Sequence, residues 1–335
     1  MGLRLEAAEF EALTPLAEAQ RNLFATPEFL SLWWEQFGSG AELRLLAGSG
    51  IALPLCRRSV GPLRVLRFLG HGVGDELGPV CSAENEAVAA RALRSTLENE
   101  RFDIFLGEHL PGRGQWADQL GARVLRREGS PVIRFGPGGW DEFLAGQSSN
   151  FREQARRKER KLGREHELRY RLGAAETLES DLDTLFALHR KRWAGPDTRF
   201  STHERFHRAF AGVALERGWL RLWIMDVGGT PVAAWYGFRY GGAELYFQSG
   251  RDTDWDRYSV GFVLLCHTIR AAPEDGAHEY RLLRGGEDYK FRFAENDPGL
   301  MTVAKAKGPL GRAALAAAGA LDRSPLGQRL RNLLG

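Results

Sequence analysis

Two glycine pairs, Gly228-Gly229 and Gly241-Gly242, separate three apolar segments in the second half of the chain. Glycine pairs favour two-residue hairpin turns, because both turn positions need a positive φ. The segments WLRLWIMDVG, TPVAAWYGFRYG and AELYFQSG therefore predict a three-stranded antiparallel meander. The sequence after the meander predicts a helix, a strand, a short helix and a last strand, over residues 259–272, 278–284, 287–294 and 300–306.

The first half of the chain repeats this order of elements without repeating its residues. A helix over residues 26–38 begins with Thr26 as N-cap and Pro27 in the first turn. The apolar segments ELRLLAG, GIALPLCRR and LRVLRFLG follow, then a helix over residues 84–100 and the strand FDIFLG. We predict an α/β (α+β) protein with two similar domains, whose mixed, mainly antiparallel sheets are flanked by helices.

The length of 335 residues also fits two domains of about 150 residues. The glycine-rich, charged stretch that begins at GPGG divides them. We expect a first domain over residues 1–135, a basic linking helix over 136–166, a second domain over 167–307 and a helical tail over 308–335.

Composition excludes several classes of protein. The net charge of +3 provides no global field for nucleic acid or anionic membranes. Cys56, Cys81 and Cys266 are widely spaced, which favours buried thiols over a disulfide framework, and we predict no metal site. No apolar run reaches the roughly 18 residues of a spanning helix, and the N-terminus lacks the pattern of a signal peptide. We therefore expect a cytoplasmic protein without a membrane span.

The segment DRYSVGFVLLCHTIRAA follows the third strand of the meander. A turn that leads into an apolar helix offers free backbone N–H groups and the positive end of the helix dipole to a pyrophosphate. We predict such a site from five residues of the turn, namely Arg257, Ser259, Val260, Gly261 and Phe262. The alternative is an ordinary core helix with Ser259 as its N-cap.

The segment RGGEDYKF places four polar groups after the next strand. Glu287 could deprotonate an amine, Tyr289 could protonate a leaving thiolate, and Lys290 could stabilise negative charge. The alternative is a solvated first turn of a helix, with an ordinary ion pair between Glu287 and Lys290.

A basic stretch, FREQARRKERKLGREHELRYR, carries nine Lys or Arg residues and four Glu between Arg152 and Arg171. Basic helices can bind RNA, but interleaved glutamates favour a solvated, self-paired helix. Further along, LHRKRW could line an acceptor cleft with Arg192 and Trp193.

Taken in order, these motifs resemble the GNAT-related acetyltransferases of the CelD or BioF2-like family, which are associated with cellulose biosynthesis and are cousins of the Fem-type peptidyltransferases. The resemblance runs from about residue 24 to residue 307. It is carried by TPEFLSLWW, IALPL, FLG with the following Asp75, SPVIRF, NFREQARR, LHRKRW, GGTPVAAW, YSVGFVLL and GEDYKFRF. The usual pyrophosphate pattern, Arg/Gln-x-x-Gly-x-Gly/Ala, differs here at Gly261 and Val263, and many relatives have Pro at Val260 and Asp at Arg281.

The resemblance implies tandem GNAT-like domains, of which the C-terminal one transfers an acyl group from acetyl-CoA to an amine or sugar-type acceptor. The N-terminal domain would be a degenerate copy that shapes the acceptor cleft. Backbone N–H groups near Ser249 and Gly250 would hold the thioester carbonyl. On this basis we assign substrate binding to five residues, namely Asp75, Arg152, Arg156, Arg192 and Trp193.

Two alternatives remain open at this point. A Fem-type transferase would use an aminoacyl-tRNA held by the basic stretch, whereas a catalytically inactive domain would serve as a binding module in polysaccharide assembly. The expected partner is a small-molecule or saccharide acceptor, and nucleic acid is expected only under the Fem-type alternative.

Overall fold

The computed structural model describes residues 10–193, 198–294 and 296–320. For residues 319 and 320 it describes the backbone alone. The strands are, in chain order, β1 Ala41–Gly48, β2 Ile51–Val60, β3 Leu63–Phe68, β4 Val80–Cys81, β5 Ile104–Pro111, β6 Arg123–Glu128, β7 Val132–Arg134, β8 Leu168–Leu172, β9 Leu220–Val227, β10 Thr230–Tyr240, β11 Ala243–Arg251, β12 Glu279–Arg281 and β13 Leu300–Ala306. The α-helices are α1 Thr14–Gln20, α2 Pro27–Phe37, α3 Glu86–Asn99, α4 Trp116–Leu120, α5 Gly139–Gly146, α6 Ser149–Glu165, α7 Leu178–Arg192, α8 Arg199–Thr202, α9 Glu204–Glu216, α10 Val260–Glu274, α11 Asp288–Phe291 and α12 Gly308–Ala320.

The chain forms two compact units. Unit 1 combines residues 1–129 with residues 298–335, and unit 2 consists of residues 130–297. The sheet of unit 1 has the strand order β1-β2-β3-β5-β13-β6, with β4 paired to β2. The sheet of unit 2 has the order β7-β12-β11-β10-β9-β8. Within each sheet only one neighbouring pair is parallel, β3 with β5 and β11 with β12. The predicted α/β class, with mixed and mainly antiparallel sheets flanked by helices, is confirmed.

The division of the chain corrects the expected domain boundaries. Strand β13 has the predicted bounds, but it lies between β5 and β6 in unit 1 and not in the second domain. In return, β7 lies beside β12 in unit 2, although it precedes the predicted boundary at residue 135. Residues 300–304 are all buried, which is typical of a strand whose two faces are both covered. An apolar run in the sequence predicts a buried strand, but it does not identify the strands that pair with it.

Unit 2 buries both faces of its sheet. On one face, Ala233 and Trp235 of β10 pack in a core with residues of α5, α6 and α10. On the other face, the Tyr236 hydroxyl donates to the His207 carbonyl of α9, and Phe238 packs against Phe210 of the same helix. Alternate residues of one strand therefore serve two different helical layers, as the pleat of a strand requires.

The basic segment predicted as a linking helix over 136–166 is two helices of unit 2. The helical structure is interrupted between α5 and α6. There the Ser148 hydroxyl accepts a hydrogen bond from the Phe151 amide and caps α6. Phe151, Ala155 and Leu162 of α6 are buried in the core of unit 2. This apolar stripe makes α6 part of unit 2, which corrects the expectation of a separate helix that links two domains.

Other local predictions agree with the structure. The Thr26 hydroxyl caps α2, with Pro27 in its first turn, and the three cysteines are buried free thiols. Strand β12 is shorter than the predicted 278–284, since Leu283 adopts a left-handed φ of 52°. The expected tail over 308–335 begins with α12, and its residues beyond 320 lie outside the described part of the chain. Within the described part, no helix has the length and apolar character needed to cross a membrane.

Candidate functional site

The sheet of unit 2 opens along one edge of β11. Strand β12 pairs with β11 only over residues 243–245, so the second half of β11 has no neighbour on that side in the described structure. The register between β10 and β11 also shifts, from Gly237–Tyr246 to Tyr236–Gln248, which leaves Phe247 as an extra residue. In a regular strand, residues three apart lie on opposite faces. The bulge instead brings the side chains of Tyr246 and Ser249 together on one face.

A cavity of about 380 Å³ lies at this opening. It is lined by β10, the end of β11, the first turns of α10 and the segment around α11, with Arg192 of α7 at its wall. Its middle is apolar, with Ala233, Trp235, Leu265 and Phe293 among the lining residues. Two polar ends differ in chemistry, one at the C-terminus of α7 and one at the N-terminus of α10.

The first polar end is a chain of hydroxyl groups that leads to a guanidinium. Arg192 Nη1 donates to Ser249 Oγ at 2.5 Å, the Tyr246 hydroxyl lies 2.6 Å from Ser249 Oγ, and the Tyr289 hydroxyl donates to that of Tyr246 at 3.3 Å. Burial, reinforced by the neighbouring Tyr246, raises the pKa of Tyr289 far above its ordinary value. Burial opposes the charge of Arg192, but Tyr246 and Tyr289 outweigh it and raise the pKa of the guanidinium. At neutral pH this end thus presents the Arg192 cation and the protonated phenol of Tyr289.

The second polar end is the start of α10. Ser259 has a left-handed φ of 55°, and its hydroxyl accepts a hydrogen bond from Lys158 Nζ of α6 at 2.8 Å. Lys158 and Arg292 both lie over the ring of Phe262, at 5.1 and 5.5 Å from its centroid. Burial, and after it the positive charge of Arg292, lowers the pKa of Lys158. Neither cation forms an ion pair with a carboxylate within the described chain, so this end has a positive potential.

The backbone of the same turn adds hydrogen-bond donors. The amides of Ser259 and Phe262 donate to the carbonyls of Asp256 and Ser259. The amides of Val260 and Gly261 belong to the first turn of α10, whose N–H groups have no acceptor within the helix. Together with the helix dipole and the two cations, they suit an anion such as a phosphate.

Gly250 has a structural role that the sequence does not reveal. A Cβ on this residue would lie 2.4 Å from the backbone nitrogen of His189 and 2.6 Å from the Leu188 carbonyl carbon. His189 Nδ1 also lies 3.1 Å from the Ser249 carbonyl oxygen. The end of α7 therefore rests directly on β11, and this contact determines where Arg192 lies.

The three predicted catalytic residues, Glu287, Tyr289 and Lys290, do not all lie at the cavity. Tyr289 lines the cavity, whereas Glu287 and Lys290 do not. Lys290 is buried, donates to the Arg284 carbonyl at 2.6 Å and pairs with Glu287 at 3.1 Å. The close approach requires Gly285, since a Cβ there would lie 2.1 Å from Glu287 Oε2. Glu287 and Lys290 thus hold the turn that presents Tyr289.

The structure brings some of the other predicted residues to the cavity and not the rest. Six of them line it, namely Arg192, Ser249, Gly250, Ser259, Gly261 and Phe262. Val260 instead is buried in the core of unit 2, and Arg257 is exposed with its guanidinium 4.8 Å from the Tyr258 ring centroid. Arg152 donates to the carbonyls of Ala145 and Gln147 at the end of α5. The side chains of these three residues lie outside the cavity lining, and the predicted phosphate contact of Val260 is one of its backbone amide, so their roles stay predictions.

The three remaining predicted residues also lie outside the cavity lining. Arg156 is exposed on α6, and Trp193 is 43% exposed, with its ring 4.8 Å from the Arg192 guanidinium. Asp75 is a buried residue of unit 1.

The loop that contains Asp75 occupies the place in unit 1 that corresponds to the opening in unit 2. Strands β3 and β5 pair in parallel over residues 65–67 and 104–106, as β11 and β12 do. Beyond this pairing the Leu77 amide donates to the His109 carbonyl, and His109 Nδ1 lies 3.1 Å from the Gly74 carbonyl oxygen. Val73 and Leu77 are buried. The chain's own loop therefore covers this edge of β5.

The sequence does not single out Tyr246 and Arg292, which line the cavity, or Lys158, which donates to Ser259 in its lining. Lys158 and Arg292 belong to charged segments that look like solvated helix surfaces. Tyr246 falls in an alternating strand, where only the bulge turns it toward Ser249. No sequence signal identifies these three residues, because each depends on a contact between distant segments.

Comparison with known proteins identifies the domain type. Residues 149–291 match the model of an acetyltransferase (GNAT) domain. No curated protein matches the chain. Within the described residues, no group of three or more His, Cys, Asp or Glu side chains could hold a metal ion.

Solved structures share the fold at low sequence identity. FemX is similar with a TM-score of 0.62 and 10% identity, over 92% of this chain and 98% of FemX. L-PGS from Bacillus licheniformis has a TM-score of 0.59 and 11% identity, over 96% and 97%. A conserved protein of unknown function from Bacteroides thetaiotaomicron VPI-5482 has a TM-score of 0.60 and 14% identity, over 91% and 98%.

These findings confirm the predicted fold, whereas the narrower resemblance to CelD or BioF2-like proteins stays a prediction. Residues 149–291 match the model of an acetyltransferase (GNAT) domain, and the two-sheet fold that contains them is similar to the folds of FemX and L-PGS.

Proposed function

We propose that unit 2 is an N-acyltransferase that takes an acyl group from an acyl-CoA, with acetyl-CoA as the expected donor, and passes it to an amine. The observation that supports this proposal most directly is the phosphate-compatible turn beside a cavity whose lining is part apolar and part polar. A coenzyme A thioester has the matching chemistry, with a pyrophosphate at one end and a long, mostly uncharged arm.

Each end of the cavity has a distinct task under this proposal. Lys158, Arg292 and the amides of Val260 and Gly261 would bind the phosphates. Acyl-CoA supplies an activated acyl group as a thioester. Tyr289, which is protonated at neutral pH, can donate a hydrogen bond to a departing thiolate and so stabilise its negative charge.

The acceptor amine must lose a proton before or during attack, since an alkylammonium has a pKa near 10. A base for this step could be a carboxylate in the cavity lining. Asp256 supplies a carboxylate there, but it pairs with Arg251 at 2.8 Å. Glu287 lies outside the lining, but its side chain is 45% exposed. It precedes Tyr289 by two residues. We keep Glu287 as the candidate base, acting through water.

Calorimetric titration with coenzyme A tests the donor site. Gly261→Glu should abolish binding, because it adds a carboxylate where phosphate must bind, whereas Gly261→Ala should bind normally. The alanine Cβ would lie 3.3 Å from Arg251 Cδ, in a flexible side chain that can move. Lys158→Met should weaken binding about tenfold or more, and the exposed Arg157→Met is its control. Equal affinity in folded Gly261→Glu and wild type would contradict the assignment.

A second candidate function is supported by the outer face of α6. Arg156, Arg160 and Arg164 are exposed at intervals of four residues, and none pairs with a carboxylate among the residues described. Two glutamates expected to neutralise the helix point elsewhere, since Glu159 binds Arg270 and Glu165 accepts from the Tyr258 hydroxyl. This unpaired basic stripe suits a Fem-type transferase with an aminoacyl-tRNA donor.

Titration with uncharged tRNA separates the two candidates. A Fem-type enzyme should bind tRNA with an affinity that falls steeply with salt, and Arg156→Glu with Arg160→Glu should abolish that binding. A coenzyme A enzyme should show weak tRNA binding at physiological salt and should bind coenzyme A normally in the same double variant.

A further inference from the structure

Arg192 differs from three other partly buried arginines of unit 2 in what surrounds its charge. Arg239, Arg270 and Arg171 each pair with a carboxylate, of Glu244, Glu159 and Asp181 respectively. The guanidinium of Arg192 has no such partner in the described part of the chain. Its polar contacts are the hydroxyls of Ser249, Tyr246 and Tyr289, none of which is a carboxylate.

A guanidinium cannot lose its proton in a protein, so burial cannot neutralise it. A charge held away from water without a counter-ion is costly, and such groups in proteins are normally paired. Arg192 is nevertheless held firmly, because the α7 end that carries it rests on Gly250 and its guanidinium lies over the Trp193 ring. A preformed cation at the wall of a cavity indicates that its counter-ion arrives with the ligand.

The chemistry of the cluster indicates which anion this is. The phosphate-compatible groups lie at the other end of the cavity, around Ser259 and Lys158. A guanidinium matches a carboxylate in planar, paired hydrogen bonds. One of the neighbouring Ser249 and Tyr246 hydroxyls can donate to a second carboxylate oxygen, since each carries one proton and the bond between them uses only one of the two.

We propose that Arg192, with the hydroxyls of Ser249 and Tyr246, binds a carboxylate of the molecule that reacts in this cavity. This inference rests on the proposed acyltransferase function for the identity of that molecule. The carboxylate belongs either to an amino-acid-type acceptor or to an acyl group that ends in a second carboxyl. Both sources present the same group to Arg192, and matched ligands distinguish them.

Calorimetric titration with two matched sets of ligands tests the proposal. Succinyl-CoA is compared with butyryl-CoA, which has the same four-carbon chain without the terminal carboxylate. In the presence of coenzyme A, the amino acids alanine, glutamate, lysine and phenylalanine are compared with their C-terminal amides. In wild type, the carboxylate member of one set should bind at least tenfold more tightly than its partner.

The variants assign that preference to Arg192. Arg192→Gln should abolish it, Arg192→Lys should retain part of it, and Arg190→Gln should leave it unchanged. Arg190 is a suitable control because it lies on the same helix, is exposed and pairs with Glu204 at 3.0 Å. If Arg192→Gln does not fold, Ser249→Ala should reduce the preference instead, since it removes the hydroxyl that orients the guanidinium.

The outcomes separate this inference from the donor assignment. Acyl-CoA binding without a carboxylate preference in either set overturns the inference and leaves the donor site standing. A preference among the amino acids without coenzyme A binding supports the inference and contradicts the donor site. Failure of every ligand to bind, or a preference that survives in Arg192→Gln, overturns the role of Arg192.

Discussion

A Cβ atom on Gly250 would lie 2.4 Å from the backbone nitrogen of His189. Gly250→Ala must therefore push α7 away from β11, and we expect a loss of about 1–3 kcal/mol in the free energy of unfolding, as for other overpacked sites. The displaced helix should also move Arg192 and weaken ligand binding. Denaturant unfolding and calorimetric titration measure the two effects.

Gly212→Ala is the matched control for this prediction. Gly212 lies within α9, and a Cβ there would meet nothing within 4 Å. Alanine should stabilise the helix by about 0.5–1 kcal/mol, because it restricts the unfolded chain. If Gly250→Ala were as stable as Gly212→Ala, the close contact between α7 and β11 would be refuted.

Tyr289→Phe should lower kcat about 10²-fold with little change in coenzyme A affinity, because it removes the expected proton donor and leaves the ring. Tyr236→Phe is the control, since its hydroxyl also makes one hydrogen bond of 3.3 Å but lies on the opposite face of the sheet. It should cost about 1 kcal/mol of stability and leave kcat unchanged. Equal kcat values in the two variants would remove Tyr289 from the mechanism.

Lys290→Met should act mainly on stability. It leaves the Arg284 carbonyl and Glu287 without their partner, which should cost about 1–3 kcal/mol in the free energy of unfolding. Lys290→Arg should recover part of this loss. Unfolding curves and steady-state kinetics on the same preparations decide the role of Lys290: unchanged stability with a 10²–10³-fold loss of kcat would instead support direct stabilisation of charge.

His267 should make the stability of the protein depend on pH. Its ring stacks on Tyr170 at 3.7 Å, its Nδ1 accepts from Arg270, and burial, with the charge of Arg270, lowers its pKa to about 4. Between pH 6.5 and 4 the unfolded chain therefore binds a proton that the folded protein does not. The stabilising contribution is complete above pH 6.5 and is lost as the pH falls through 4, up to about 3 kcal/mol.

His267→Phe keeps the stacked ring and removes the titration. Urea unfolding at pH 7 and pH 4 should show a smaller loss of stability for the variant than for wild type, by up to about 3 kcal/mol. Parallel pH dependence in the two proteins would show that His267 does not titrate differently in the folded state.

The sequence predicts local elements of this protein well and distant contacts poorly. The glycine pairs at 228–229 and 241–242 predict the β9–β11 meander correctly, because hairpin turns have a local backbone requirement. The position of Ser259 and Gly261 at the start of α10 is predictable for the same reason. Lys158 at Ser259 is not, because the two residues are brought together by packing of α6 against α10.

The bulge at Phe247 limits the prediction of the site in another way. Alternation along AELYFQSG assigns Tyr246 and Ser249 to opposite faces, and one extra residue reverses this assignment. The hydroxyl chain to Arg192 depends on that reversal. The residue types at this site were predictable, but the contacts that bring Arg192, Ser249 and Tyr246 together were not.

The exchange of β13 for β7 between the two sheets has a consequence for biosynthesis. Unit 2 is a continuous stretch, so all of it has been synthesised before β13 is added to the chain. The first 129 residues, although made first, must wait for the strand that fills the gap between β5 and β6. We therefore expect folding on the ribosome to proceed against the order of translation, with the N-terminal sheet exposed to chaperones until the last segment emerges.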